Sequence, residues 1–257
     1  MVDELMDHAE LAAELFDAQR RRAGVELLSA RFPDLDWEDA RRIARATDDL
    51  RRADGEVQIG FKLGWTSTAM REALGIDRPN WGTLWDRQVC AHTLLLDRLI
   101  HPKVEPELVC RTAQDLRGEV SATDVAESGV SWALGLEVVD PRFPSFEFEA
   151  LDNTADNSSS AAVVLGEFVV LDADTIRSVE VSFTDGAETR IGAASNAMGS
   201  PLEAVAWFVG ELDAEGSVLP AGSIVFTGGL TAPFDVRPGS TYEVSAGFAA
   251  PVVLAAE

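Results

Sequence analysis

The sequence is poor in soft metal ligands and in basic charge. Its 257 residues include only two cysteines, Cys90 and Cys110, and three histidines, His8, His92 and His101. The cysteine spacing makes neither a CxxC pair nor a disulfide framework, so two reduced thiols are expected. Lys and Arg total 21 against 44 Asp and Glu, a formal charge of 21 − 44 = −23. That charge argues against nucleic acid or an anionic membrane surface as partner. The longest apolar stretches, such as residues 161–166 (AAVVLG), fall well short of the roughly 20 residues that span a bilayer. The opening MVDELMDHAELAAEL is acidic where a secretory signal is basic, so the expected location is the cytoplasm. Core material is ample: 46% of the residues are hydrophobic, enough for one large domain or a domain with a small helical appendage.

Apolar residues recur at helical spacing from Glu4 to Arg22, and a second helix is expected from Trp37 to Ala53, with Asp36 as N-cap and Gly55 as its end. These two define a helical segment over residues 1–55, ahead of a β-rich domain over 56–257. VQIGFKLGW reads as a buried strand, TSTAMREALGI as a short helix capped by Thr66 or Ser67, and DRPNWG as a loop. Further strands are expected at 94–100, 104–109, 134–139, 161–171, 223–227 and 242–248, with a Pro-initiated helix over 201–216. Strand-rich stretches broken by a few helices point to an α+β fold.

The chemistry gathers in a few places. In HPKVEPELVC, Glu105 and Glu107 are two apart in a candidate strand and project from one face, and Glu137 is a third carboxylate in the apolar ALGLEVVD. If buried, they call for a hard divalent cation; otherwise the first two form a solvated face and Glu137 pairs with an arginine. Lys62, between Phe61 and Leu63, is either a proton shuttle or a snorkelling lysine. ADNSSS (155–160) offers hydroxyls and amides to hold a carboxylate, or turn chemistry alone, and TGGL (227–230) brings backbone amides to a ligand or closes a tight turn.

Taken in order, GFKLGWTS, GIDRPNWG, RLIHPKVEPEL, LEVVDPRF, ADNSSS, SPLEAVAW and PAGSIVFTGGLTA resemble the 2-oxopentenoate hydratase and 4-oxalocrotonate decarboxylase group of the fumarylacetoacetate-hydrolase-like superfamily. The match spans nearly the whole chain. It implies a mixed β-roll core with an N-terminal helical region and a Mg²⁺ or Mn²⁺ site. Glu105, Glu107 and Glu137 match the family's metal ligands, and Lys62 its catalytic lysine. Ser159 corresponds to a substrate-contacting polar residue, Asp156 and Asn157 to organisers of that loop, and Gly228 and Gly229 to pocket lining.

RLIHPKVEPEL, FEFEALD and PAGSIVFTGGLTA look more like the decarboxylase branch. Hydratases of the group carry an acid in a Pro-Asp-aromatic-Gly stretch, where this chain reads Pro79, Asn80, Trp81, Gly82. The decarboxylase branch usually has an apolar residue there, so Asn80, a candidate substrate contact, matches neither branch, and Pro141 stands where a small polar residue is usual. The resemblance implies metal-dependent decarboxylation of a 2-oxo-3-enedioate such as 4-oxalocrotonate to a 2-hydroxy-2,4-dienoate. Hydration of 2-hydroxypenta-2,4-dienoate and acylpyruvate C–C hydrolysis are the alternatives, with a non-catalytic assembly subunit outside them. Arg71, Arg78 and Arg111 are candidates for holding the departing carboxylate. A homo-oligomer, paired with a hydratase or decarboxylase, completes the expectation.

Overall fold

The computed structural model describes residues 6–257. Helices α1 (His8–Arg21), α2 (Leu28–Arg31) and α3 (Trp37–Ala53) come first; α4 (Thr68–Leu74), α5 (Ala122–Glu127), α6 (Ala150–Ala155), α7 (Ala173–Arg177) and α8 (Pro201–Ala214) interrupt the strands. Strands β1 (Gln58–Gly64), β2 (Asn80–Trp85), β4 (Lys103–Arg111), β5 (Ser131–Val139), β6 (Ser160–Leu165) and β9 (Ile224–Phe226), with the short β10 (Phe234–Asp235), build a seven-stranded sheet ordered β2-β1-β9-β4-β5-β6, β10 pairing β4. A five-stranded sheet contains β3 (Thr93–Leu94), β7 (Glu180–Thr184), β8 (Thr189–Ala193), β11 (Thr241–Ala246) and β12 (Ala249–Ala256). Both sheets are mixed, since β1–β9 and β12–β3 are parallel and the other pairings antiparallel. The fold is α+β, with a mixed β core and a helical N-terminal segment, as expected.

Local chemistry explains the element ends. Asp7 and Asp36 accept from the first free N–H groups of α1 and α3, Ser67 caps α4 by accepting from Met70, and Gly55 follows α3 at φ +81°. The expected start of the first helix at Glu4 lies outside the described residues. Leu11, Leu15 and Ala18 on α1 and Ala40, Ile43 and Ala44 on α3 are buried. Of these, Leu11, Leu15, Ala40 and Ile43 share a cluster with Phe143 and with Ala155 at the end of α6, so the helices pack against the element that leads into the serine loop.

Three expectations change. DRPNWG is not all loop: Asn80 to Gly82 begin β2, held by pairing with β1. The strand expected at 94–100 stops at Leu94 and gives way to a 3₁₀ turn over Leu96–Arg98. The strand expected over 161–171 ends at Leu165. The β7–β8 hairpin and the short helices α5–α7 carry too few residues for a periodic signal.

Strand β4 positions the site through a gap in its ladder. It pairs with β9 through residues 109–111 and with β10 through 103–104. Between them, Thr227 and Leu230 donate to the carbonyls of Leu108 and Pro106 at 3.2 and 3.0 Å. N–H and C=O of one strand residue point the same way, so Pro106 faces this gap with the side that carries no N–H donor. The loop after β9 thereby reaches the carboxylates of β4.

A second anchor holds the loop after α6. Arg142, 4% exposed, donates to the Asp156 carboxylate and to the carbonyls of Asp140 (3.0 Å), Ser160 (2.9 Å) and Asp156. Arg142→Met should therefore lose about 3–5 kcal/mol by urea unfolding. Arg42→Met, which breaks the exposed pair with Glu38, should lose under about 1 kcal/mol. Equal, small losses would contradict the anchoring role.

Candidate metal centre

The three glutamates meet because of sheet register. Glu105 on β4 lies directly opposite Glu137 on β5, and Glu107 is one same-face position along. A ligand oxygen from each lies within 4.8 Å of the others, the one such group of His, Cys, Asp and Glu among the described residues. Lys62 reaches them from β1, which the sheet order places three strands from β5. In a flat sheet that separation is about 14 Å, yet Lys62 Nζ is 3.3 Å from Glu137 Oε1; curl of the sheet and the length of both side chains close the distance.

Electrostatics here are severe. Glu107 and Glu137 are 0% exposed. Burial first, and then the Glu137 charge, push Glu105 up to about 7 against the opposing pull of Lys62 and Lys103. Glu107 is raised well above the ordinary carboxylate range by burial and by Glu137, and Glu137 is raised by burial despite Lys62. One ammonium cannot balance three ionised carboxylates; −3 + 1 leaves −2, which one divalent cation would neutralise.

Unpaired oxygens give the fit a second leg. Glu107 Oε1 and Glu137 Oε2 are buried with no hydrogen-bond partner, Glu137 Oε1 has only the Lys62 ammonium 3.3 Å away, and Glu107 Oε2 accepts from the Gly228 N–H at 2.6 Å. Buried carboxylate oxygens left bare are costly unless something binds them. A set of oxygen donors with no imidazole or thiolate suits Mg²⁺ or Mn²⁺. The glycines permit the approach: a Cβ on Gly229 would lie 2.6 Å from Glu105 Oε2, and Gly228 has φ +108° with Thr66 Oγ1 1.8 Å from where its Cβ would be.

Beside this centre lies a cavity of about 590 Å³ lined by Lys62, Glu105, Ser158, Ser159, Asn153 and Gly229, and also by Phe32, Trp37, Ile76, Phe146 and Phe148. Lys62 Nζ donates to Ser158 O at 2.9 Å and Ser158 Oγ at 3.1 Å. Asn157, Ser158 and Ser159 all have left-handed backbone, φ +51°, +51° and +56°, a conformation that costs about 1–2 kcal/mol per non-glycine residue. Offsetting bonds hold it: Asn157 Oδ1 accepts from the Thr83 N–H (2.7 Å), and its Nδ2 donates to the Thr83 carbonyl (2.9 Å).

No family model matches the chain. A 2-keto-4-pentenoate hydratase of Paraburkholderia phymatum is 34% identical over 237 residues, covering 90% of each chain. The chain belongs to the 2-keto-4-pentenoate hydratase and 4-oxalocrotonate decarboxylase family. A 4-oxalocrotonate decarboxylase of Pseudomonas sp. (strain CF600), also of this family, is 30% identical over 245 residues, 91% of this chain and 90% of the relative. The solved 4-oxalocrotonate decarboxylase from Pseudomonas putida G7, complexed with magnesium and adipate, superposes with a TM-score of 0.92 at 27% identity over 97% of both chains. A fumarylpyruvate hydrolase from Pseudomonas aeruginosa, TM-score 0.60 and 15% identical over 78% of this chain and 89% of its own, shares the fold of this wider superfamily.

Of the family residues read from sequence, Lys62, Glu105, Ser159 and Gly229 line the cavity; Glu107 and Glu137 are fully buried and outside its lining, and Gly228 donates its N–H to Glu107. Asn80 is not in the lining but behind Ser158, bonded to it at 3.0 Å. None of the three arginines lines the cavity: Arg71 donates to the carbonyls of Trp65 and Thr66, Arg78 pairs with Glu211, and Arg111 stacks on Phe168. Ser158 and Asn153 were missed individually; ADNSSS flagged the loop, but only the fold selects which hydroxyl meets Lys62.

These raised carboxylates make stability depend on pH in a known direction. A folded-state pKa above the unfolded one means the folded protein binds the extra proton, so metal-free stability falls as pH rises from about 4.5 through about 7. A cation that takes the protons' place removes that loss. Melting scans should show Mn²⁺ raising Tm over EDTA far more at pH 8 than at pH 5.5; equal increments at both pH values would contradict it.

Proposed function

We propose that this chain is a metal-dependent lyase of meta-cleavage-type aromatic catabolism in the cytoplasm, decarboxylating a 2-oxo-3-enedioate such as 4-oxalocrotonate to a 2-hydroxy-2,4-dienoate. The observation that carries the reading is a carboxylate triad facing Lys62 beside a cavity whose lining holds aromatic and aliphatic side chains, the acids Asp77 and Glu149 and, among the described residues, no guanidinium. Glu105, Glu107 and Glu137 would hold Mg²⁺ or Mn²⁺, which when bound supplies Lewis-acid polarisation of the 2-oxo acid.

The chain's own groups do the rest. As the C5–C6 bond breaks, its pair moves to C4–C5, the C3=C4 pair shifts to C2–C3, and the carbonyl pair ends on the C2 oxygen. Lys62, held by Ser158 and Glu137, delivers a proton to that oxygen. Ser159 orients the C1 carboxylate. The distal carboxylate loses its charge in the transition state, so an arginine clamp there would favour the ground state. Among the described residues the one further cation of the lining, Lys103, is 3.2 Å from Asp235 Oδ1 and lies over the Phe146 ring.

Hydration of 2-hydroxypenta-2,4-dienoate is the second reading, favoured by the 34% identical hydratase and opposed by Asn80, which supplies no carboxylate base for water. C–C hydrolysis has less support, because no histidine lines the cavity among the described residues. A non-catalytic subunit would have no use for a buried lysine beside three clustered carboxylates, two of them fully buried. We further read residues 1–55 as a buttress of a 56–257 catalytic domain, and the working form as a homo-oligomer able to pair with a hydratase or decarboxylase. No helix among the described residues is long and apolar enough to cross a membrane.

With purified protein, Mg²⁺ and 4-oxalocrotonate, Lys62→Met should lower the rate of CO₂ release roughly 10²–10⁴-fold with an unchanged circular dichroism spectrum. A near-normal rate removes lysine from the mechanism. Consumption of 2-hydroxypentadienoate without CO₂ release from 4-oxalocrotonate would move the assignment to hydratase. Glu107→Gln should weaken Mn²⁺ binding at least about tenfold, and unchanged affinity would contradict its role as ligand.

A further inference from the structure

We propose that Asn80 is a positioning residue that makes Ser159 a hydrogen-bond donor toward the carboxylate or C2 oxygen of the substrate. The inference rests on the reading that the cavity takes a 2-oxo acid. Asn80 is 3% exposed and stands behind the cavity wall, where its carboxamide joins the two serines.

The direction of this chain of hydrogen bonds is fixed from both ends. Thr154 Oγ1 gives its single hydrogen to the Ala150 carbonyl at 2.8 Å, so it can only accept from Asn80, 3.2 Å away; the atom facing it is therefore Nδ2. The same Nδ2 donates to Asn153 Oδ1 at 2.9 Å, which leaves Asn153 Nδ2 to donate to Ser159 Oγ at 2.7 Å. At the other end, a lysine ammonium only donates, so Ser158 Oγ accepts from Lys62 at 3.1 Å and turns its own hydrogen to Asn80 Oδ1 at 3.0 Å. Both ends demand the same orientation of one carboxamide.

Two neighbouring serines thus acquire opposite roles. Ser158 presents a lone pair to Lys62, while Ser159 receives a bond and has its own hydrogen to donate. That hydrogen goes to Asp156 Oδ2 at 3.4 Å, a bond longer than the usual O–H···O range, so a ligand oxygen at ordinary hydrogen-bond distance would take it instead. The backbone makes room for the chain at Gly64, paired with Asn80 across β1 and β2, where a Cβ would lie 2.1 Å from Asn80 Oδ1 and 2.5 Å from Ser158 Oγ.

A carboxylate at position 80 would reverse only the far half. It still accepts from Ser158, but it cannot donate to Asn153 or Thr154. The Asn153 amide would turn its Nδ2 toward residue 80, and its Oδ1 would take the Ser159 hydrogen. Amide or acid at position 80 therefore decides whether the substrate meets a donor at Ser159.

Oxalate, a planar dianion with the oxygen pattern of a 2-oxo acid, is the probe, titrated calorimetrically into the Mn²⁺-loaded protein. Asn80→Asp and Ser159→Ala should each weaken binding about tenfold, and the double variant no more than either alone. Asn153→Asp keeps the bond from Asn80 while accepting the Ser159 hydrogen; it should give the same loss and carries the test if Asn80→Asp does not fold. Unchanged affinity in the folded Asp variants, or losses that multiply to about a hundredfold in the double variant, would overturn the proposal. Failure of the unsubstituted protein to bind oxalate would overturn the 2-oxo acid reading itself, and the proposal with it.

Discussion

Three carboxylates, two of them fully buried, gathered around one buried ammonium are the constraint on which the rest of the structure depends. Glu105, Glu107, Glu137 and Lys62 sit where water cannot fully solvate them, and an uncompensated charge there costs several kcal/mol. Everything near the group relieves that cost. The Gly228 N–H serves one oxygen, Pro106 in β4 faces the gap through which that glycine loop enters, and the sheet curls until Lys62 reaches Glu137. The unserved oxygens are those a hard cation would take.

Beside this polar cluster, the loop bearing Ser158 and Ser159 holds three successive left-handed residues. Strain of this kind persists only where surroundings over-determine it. Here Arg142 binds Asp156 before the loop and the Ser160 carbonyl after it, and the Asn157 side chain takes both backbone groups of Thr83. The serines are therefore set in place before any ligand arrives, which is what a site that must orient a small, flexible oxo acid requires.

Much of this was legible in the sequence, for identifiable reasons. ExE spacing within a strand fixes a shared face, so Glu105 and Glu107 could be paired from the chain alone; the family resemblance named Glu137 as the third ligand, but its place opposite Glu105 is a matter of register that only the fold shows. Strong helical periodicity and Asp36 located α3, whereas the stretch after Leu94 looked like strand because apolar runs do not distinguish a strand from an irregular buried segment. Asn80 was read as a ligand contact because it sits in a motif, but β-pairing turns it behind Ser158. The roles of Ser158 and Asn153 depend on a hydrogen-bond direction set by Thr154 and Lys62, residues far apart in sequence, and no spacing rule carries that information.

The negative charge of the whole chain, −23, disfavours a dianionic substrate at long range, so attraction must arise locally. The central claim is that the triad holds the ion that provides it. The most direct measurement is a crystal grown with Mn²⁺ and examined by anomalous scattering. The account predicts a peak enclosed by Glu105, Glu107 and Glu137; a peak elsewhere, or none at saturating Mn²⁺, would contradict it.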